Sequence, residues 1–448
     1  MGILEKFGAA YAPRSLWTEV PALGIRMHAR GWQEGHAAAA TIPVVLVHGL
    51  SLSSRYMVPL GRRLAALGHI VFAPDLPGFG RTPPLPDPSQ PAGPDVREQA
   101  DQLLAWMDAC RLGRVVLLGN SVGVQVVTDL AVRFPQRVDR LVLIGPAPDP
   151  RYRTPLRQYS GVLANMPFEP PSLTPIMHLD YASAGIPRMV QQLRRTVGDP
   201  IEQRLPQVEA PALVIRGQHD KTLSQEWAEE FTRLLPRAGL VVIDRVAHNA
   251  HYGAPQLVAR LMHDFLLSPR ASATEAGAGL LPGAVPDPQF DPLAPWRPLS
   301  TRSHGTLGYL GVAVALAAPH LVASGPRTRR LLTVAGLFAL ACSLFTDHEH
   351  GKVRKIPLPA RHNIDAFTGM RMLAAAGRGL RGEPAAGRWA VVALAASKLL
   401  EAFATRVPTG PARRIDLARP RLPAEPIAAL APQEASAQRP RGEQRVSL

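Results

Sequence analysis

The sequence predicts an α/β fold: a mostly parallel sheet with a helical cap, followed by a C-terminal α-helical membrane domain. Three observations predict it. Between residues 42 and 243, short apolar runs bounded by Gly, Pro and Asp alternate with stretches whose apolar residues recur at helical spacing. A proline-rich stretch over 147–205 interrupts that alternation. Beyond residue 300, apolar runs of helical length follow one another.

The runs at 42–47, 70–73, 115–118, 141–144, 212–216 and 240–243 are mostly β-branched or Leu and do not alternate with polar residues. Such runs suit strands buried on both faces, which is the condition of a parallel sheet. Between them, Val96, Ala100, Leu103, Leu104 and Met107 recur at helical spacing, as do Val122, Val126, Val127, Leu130 and Phe134. Strand–helix alternation of this length implies helices on both faces, in a domain spanning residues 1–268.

The 147–205 stretch carries Pro148, Pro150, Pro155, Pro167, Pro170 and Pro171 among arginines and short apolar patches. Inserted between two strands, it would lie above their C-terminal ends, where open α/β sheets bind ligands, and it is read as a cap. Residues 269–303 are a linker rich in Ala, Gly and Pro. A helical domain over 304–406 follows: 306–323 is an 18-residue stretch without a charge, and 331–345 is a second apolar run. The runs 364–376, with Asp365 and Arg371, and 389–403, with Lys398 and Glu401, are weaker candidates for spans. Lys398 and Glu401 stand three apart and can pair on one helix face. A soluble bundle of Ala/Leu helices stays open as the alternative. The tail, 407–448, is rich in Pro, Ala, Arg and Glu and is expected to be disordered.

The net charge of +15 is uneven: 28 Lys/Arg against 23 Asp/Glu (+5) in residues 1–270, and 22 against 12 (+10) in 271–448. The basic residues of the second part border apolar runs and are not interleaved with aromatics. The expected partner is therefore a lipid bilayer, not nucleic acid. Two distant cysteines, Cys110 and Cys342, make a disulfide framework unexpected and suit a reducing compartment. Residues 1–17 hold no long apolar stretch, so no secretory signal is expected; the first domain is placed in the cytoplasm, at a bacterial inner membrane. Span orientation stays open, because Arg297, Arg302, Lys352 and Lys355 oppose Arg327, Arg329 and Arg330.

Three residues carry the expected chemistry. Ser121 stands in Gly119-Asn120-Ser121-Val122-Gly123, directly after an apolar run and before a helical pattern. That is a nucleophile elbow, in which a side chain at either glycine would collide with the crossing backbone. Asp220 follows the 212–216 run and His248 follows the 240–243 run. His248 would take the serine proton, and Asp220 would fix its tautomer and stabilise the imidazolium. His251 is the competing base and Asp149 the competing acid. The run ending in His48-Gly49-Leu50 can turn a backbone N–H toward an oxyanion, so the Leu50 and Val122 amides form the expected hole. His48 is read as a structural hydrogen bonder, and 75–80 as a turn without a chemical role. Asp347, His348, Glu349, His350, His362 and Asp365 match no closed ligand set, so no metal is expected, and no cofactor either.

Residues about 20–268 resemble the α/β-hydrolase fold superfamily through VVLVHGL, DLPGFG, LLGNSVG, IRGQHD and AHNAHYGAP. In that family the base histidine stands seven residues before a proline, which matches His248 and Pro255. The resemblance implies a serine hydrolase working through an acyl-enzyme on a small ester-like or other acyl substrate, of the esterase and lipase kind. Asn120 before the serine is common among carbon–carbon bond hydrolases and esterases of the family, while Val124 replaces a third glycine that many of them carry. Serine at 121 sets aside relatives with an aspartate nucleophile. An apolar substrate is expected from Met166, Phe168, Met177 and Leu179 in the cap. Acyl transfer, lyase or peroxidase-like chemistry on the same fold stays open, as does a membrane-bound ligand sensor or scaffold with slow turnover. Through LFTDHEHGKVRKIPLPARHNIDAFTG, residues 300–406 resemble small four-helix bacterial membrane domains (SPW-repeat-like), although the Ser-Pro-Trp tripeptide itself is absent.

Overall fold

Each buried apolar run becomes a strand of one nine-stranded sheet. The computed structural model describes residues 12–32, 42–85, 94–146, 148–268, 298–353, 355–356, 358–405 and 415–416. The strands are β1 (Arg14–Val20), β2 (Ile25–Trp32), β3 (Val44–Val47), β4 (Val71–Pro74), β5 (Val115–Asn120), β6 (Val138–Ile144), β7 (Ala212–Gly217), β8 (Ala238–Ile243) and β9 (Ile415–Asp416). Their order is β1-β2-β4-β3-β5-β6-β7-β8-β9. From β4 to β8 the pairing is parallel, whereas β1, β2 and β9 pair antiparallel at the two edges.

The β1–β2 hairpin was not among the expected strands. Glu19 and Arg26 pair on its exposed face and Arg14 is exposed at its start, so it lacks the continuous apolar run that marks the central strands. The other edge strand, β9, is two residues long and falls within the segment expected to be disordered. The rest of 407–448, like 269–297 of the linker, lies outside the described residues.

The helices of the first domain are α1 (Val58–Ala66), α2 (Val96–Ala109), α3 (Val122–Arg133), α4 (Pro155–Asn165), α5 (Leu173–Ala184), α6 (Ile186–Val197), α7 (Ile201–Arg204), α8 (Gln225–Leu234), α9 (Ala250–Gly253) and α10 (Pro255–Leu267). Successive residues of the parallel strands point to opposite faces and feed two cores. Val45, Val47, Leu117 and Leu143 pack with Leu103 and Trp106 of α2 and Val127 of α3. Val44, Leu46, Leu118 and Ile144 pack with Leu60 of α1 and Leu261 and Phe265 of α10. A capping box sets the start of α2: the Asp95 side chain accepts from Glu98 N, and Asp95 N donates to the Glu98 carboxylate.

Chain order and spatial order disagree at β3 and β4, so β3 lies beside β5 with Val47 opposite Gly119. The loops after these two strands therefore open side by side at a topological switch point, where open sheets form their ligand crevice. Helices α4 to α7 occupy the expected cap, between β6 and β7.

Four helices make up the second part: α11 (Thr301–Leu321), α12 (Pro326–Phe345), α13 (Leu358–Ala374) and α14 (Ala385–Ala404). Ala315, Leu332, Met372, Val391, Leu394 and Ala395 form their common core. All four expected helical runs are helices, but among the described residues only α12 is long and apolar enough to cross a membrane. The run expected as a span at 306–323 lies in α11, which starts earlier, taking in Arg302 and His304, and stops at Leu321 before Val322 and Ala323.

Candidate active site

At the end of β5 the chain enters α3 through Ser121, whose φ of 56° and ψ of −119° are a conformation that serine rarely adopts. Such a residue costs about 1–3 kcal/mol and persists only where its surroundings enforce it. Here Ser121 N donates to Ile144 O at 2.9 Å, and Val124 N donates to Ser121 O at 2.9 Å. The flanking glycines are required for a steric reason. A Cβ at Gly119 would stand 2.4 Å from Gly123 O, and one at Gly123 would stand 2.5 Å from Val47 O.

Asp220 and His248 follow the paired strands β7 and β8 and are both buried. His248 Nδ1 lies 2.7 Å from Asp220 Oδ2. Asp220 Oδ1 accepts from Thr222 N at 2.8 Å and from Thr222 Oγ1 at 2.6 Å. That hydroxyl oxygen also lies 2.9 Å from His248 Nδ1. Both acceptors near Nδ1 place the proton there and leave Nε2 with a lone pair. Burial works against the imidazolium, but the charge and hydrogen bond of Asp220 outweigh it and raise the His248 pKa above its ordinary value. Burial likewise disfavours the Asp220 carboxylate, yet His248 and the Thr222 bonds hold its pKa below the usual value.

The competing residues are placed elsewhere. His251 is fully buried against Tyr56, with ring centroids 4.6 Å apart. Neither of its ring nitrogens has a hydrogen-bond partner among the described residues, and burial lowers its pKa to about 3. It is a neutral core histidine. Asp149 is committed to a two-point pair with Arg151 (3.0 and 2.8 Å) and to the Ser224 hydroxyl at 3.0 Å. His48 ties two loops together: Nδ1 lies 3.0 Å from Gly49 O, and Leu76 N donates to Nε2 at 3.1 Å. The 75–80 turn has a structural role, since buried Asp75 accepts from Ser54 N at 2.6 Å and Arg81 N at 3.0 Å and meets His28 Nδ1 at 2.7 Å.

Ser121, His248, Leu50 and Val122 line one cavity of about 720 Å³, its open mouth included. Val122 opens α3, so its N–H has no acceptor within that helix. Two of the expected cap residues, Met166 and Met177, line the cavity. Leu179 faces solvent instead, and Phe168 packs on the His219 ring at 5.1 Å.

Several site residues were not anticipated. Thr222 bridges the acid and the imidazole. Tyr56 accepts from Gly49 N at 2.6 Å and donates to Asn120 Oδ1 at 2.9 Å, locking the Leu50 loop to the serine turn. Gly145, at φ 60°, leaves room for the imidazole: a Cβ there would stand 2.8 Å from His248 Nδ1. Glu169 of the cap also lines the cavity, and its Oε1 accepts from Asn249 N and Asn249 Nδ2, both at 2.9 Å. Burial raises the Glu169 pKa to about 7, against the opposing charge of His248 and the bonds from Asn249. Thr222, two residues after Asp220, had a local signal; the others become neighbours only on folding.

In the helical bundle, one His304 nitrogen and one oxygen each of Asp365 and Glu401 lie within 4.8 Å of one another, a set the sequence spacing did not show. Lys398 Nζ stands 2.6 Å from Glu401 and 3.5 Å from Asp365, and Arg361 Nε donates to Asp365 at 2.8 Å. The two cations already balance the two carboxylates, so the cluster reads as a neutral buried ion network.

The chain is 30% identical over 149 residues to abhydrolase domain-containing protein abhd-5.2 of Caenorhabditis elegans, a match covering 32% of each chain. It is 25% identical over 252 residues to a 2-hydroxy-6-oxononadienedioate/2-hydroxy-6-oxononatrienedioate hydrolase of Cupriavidus pinatubonensis, covering 50% of this chain and 86% of that one. Human protein ABHD8 is 25% identical over 57% of this chain and 61% of its own length. Thus the chain spans about a third of the first of these relatives and under two thirds of the last. Among solved structures, a membrane phospholipase A is similar at 24% identity and a TM-score of 0.47, over 59% of this chain and 88% of that one. The family match covers the strands and loops that carry Leu50, Ser121, Asp220 and His248. Residues 44–261 match the alpha/beta hydrolase family, and with it the fold described above.

Proposed function

We propose that this protein is a serine hydrolase of small ester-like or other acyl substrates, tethered to a membrane by its C-terminal helices. The observation that carries the chemical reading is the 2.7 Å contact of His248 Nδ1 with Asp220, in the cavity that Ser121 also lines. In this reading Ser121 Oγ attacks the carbonyl carbon while His248 Nε2 takes its proton. The Leu50 and Val122 N–H groups hold the oxyanion. Collapse of the tetrahedral species expels the leaving group, which receives the proton from His248, and leaves an acyl-serine. Water, deprotonated by the same nitrogen, then releases the acid and restores Ser121. These steps use protein side chains, backbone amides and water. A fluorophosphonate probe tests the reading: it should label the wild-type protein and not Ser121→Ala, and equal labelling of both would remove Ser121 as nucleophile.

The pH profile supplies a second check. Turnover needs the neutral imidazole, so activity should rise with pH through a pKa above the ordinary histidine value. The Glu169 carboxylate also favours the imidazolium. Glu169→Gln should therefore move this limb to lower pH; a limb that stays in place or moves upward would contradict the assigned coupling.

The tether is supported by where the bundle keeps its polar groups. Arg361, Asp365, Lys398 and Glu401 are buried inside it, while Leu310, Val314, Leu337, Phe338, Trp389 and Leu400 are exposed. Large apolar side chains outward and charges inward suit a hydrocarbon surrounding better than water. On this reading the hydrolase domain faces the cytoplasm and draws an apolar acyl substrate from or near the bilayer. Full-length protein should stay in the membrane pellet through an alkaline carbonate wash; release into the supernatant would overturn the tether and leave the serine chemistry standing.

A further inference from the structure

Asn363, in the first half of α13, is buried where the bundle meets the cap. Its Nδ2 donates to the Glu169 carbonyl, and its Oδ1 accepts from Thr174 Oγ1 at 3.1 Å. One side chain therefore ties both ends of the cap segment from Glu169 to Thr174. One helical turn further along α13, Phe367 meets the His178 ring of α5 at 5.2 Å. The clamped segment in turn touches the reacting centre. Glu169 Oε1 holds Asn249, the residue after His248, through two bonds of 2.9 Å, and Glu169, Met177 and Tyr181 of the cap all line the cavity.

The opposite side of α13 is fixed as well. Residues two apart on a helix point about 200° away from each other. Arg361 and Asp365 flank Asn363 at that spacing and enter the buried ion network with Lys398 and Glu401. Helix α13 thus carries charge pairs of the bundle on one side and the cap clamp on the other.

We infer that the C-terminal bundle is a working part of the substrate site, with Asn363 as a positioning residue that sets the cap wall and the Glu169–Asn249–His248 contact. This rests on the serine-hydrolase reading and goes beyond tethering: the bundle helps select the substrate. A cap wall released from α13 would bind long acyl chains less well, while Ser121 and His248 keep their own contacts.

The test uses the full-length protein and esters of increasing acyl length. Asn363→Ala and Asn363→Asp both lose the donor to Glu169. Each should raise KM for long esters by about three- to tenfold, the equivalent of roughly one buried hydrogen bond, with kcat changed less than twofold for short ones. Both should also move the acid limb of the pH profile, because Glu169 sits differently against His248. Thr174→Val, made in the cap, should give a smaller KM rise, and combining it with Asn363→Ala should add little to that variant alone. If the Asn363 variants fail to fold, Thr174→Val carries the test by its KM at long and short chain length. Variants that lower the unfolding midpoint but leave KM and the pH limb unchanged would overturn the inference, since a merely structural clamp predicts that result. Parallel labelling of Ser121→Ala keeps the two readings apart: labelling retained there removes the hydrolase reading, whereas wild-type KM in the clamp variants removes this one alone.

Discussion

Ser121→Ala is expected to lower kcat/KM for a cleaved ester by roughly 10³- to 10⁶-fold, leaving the residual rate that an oxyanion hole and binding can supply without a nucleophile. The loss should fall on kcat, because the alanine removes the attacking oxygen and leaves the cavity walls untouched. Stability should barely change. The strained backbone at φ 56° is held by Ile144 O and by the packing of Gly119 and Gly123, none of which involves the hydroxyl. Steady-state kinetics together with a thermal melt check both halves. A variant that keeps its rate would dismiss Ser121, while one that loses rate and fold together would say nothing specific about the hydroxyl. The contrast is Gly123→Ala, whose Cβ would meet Val47 O at 2.5 Å and must displace backbone, so that both fold and activity should suffer.

The sequence made the central sheet legible because its strands are buried on both faces and read as unbroken apolar runs, bounded by residues that favour turns. The loops after those strands were legible for the same reason: once β5, β7 and β8 are placed as parallel strands, Ser121, Asp220 and His248 all follow their C-terminal ends on one side of the sheet. His248 could be separated from His251 only by spacing. The structure gives the physical difference, since His251 lies inside the core without a partner among the described residues. The β1–β2 hairpin escaped notice because one of its faces is wet and its apolar residues are diluted by charges. Tyr56, Gly145 and Glu169 escaped for another reason. They come from three separate loops or cap turns, and nothing in their local sequence says that they meet His248 or Asn120. The docking of α13 on the cap is the same kind of fact: 189 positions separate Thr174 from Asn363, and no local signal at either position says that they meet.

Asp220→Asn should cost about 10⁴-fold in kcat, nearly as much as a change at the nucleophile, although the two side chains have the same shape. The reason is the set of donors around the acid. Thr222 N and Thr222 Oγ1 both point at Oδ1, at 2.8 and 2.6 Å, so an asparagine must put its carbonyl oxygen there. Its NH₂ group then occupies the place of Oδ2, 2.7 Å from His248 Nδ1, and donates to that nitrogen. Nδ1 becomes the acceptor, the proton moves to Nε2, and the imidazole can no longer take a proton from Ser121. The same substitution removes the charge that raises the His248 pKa, so the residual activity should show its acid limb at lower pH. Asp149→Asn is the control, because both Asp149 oxygens are engaged by Arg151 and Ser224, away from the imidazole. Its rate should stay within about threefold of wild type, a change of under 1 kcal/mol. If the two variants exchanged effects, the acid partner of His248 would have to be Asp149 and the geometry at Thr222 would be incidental.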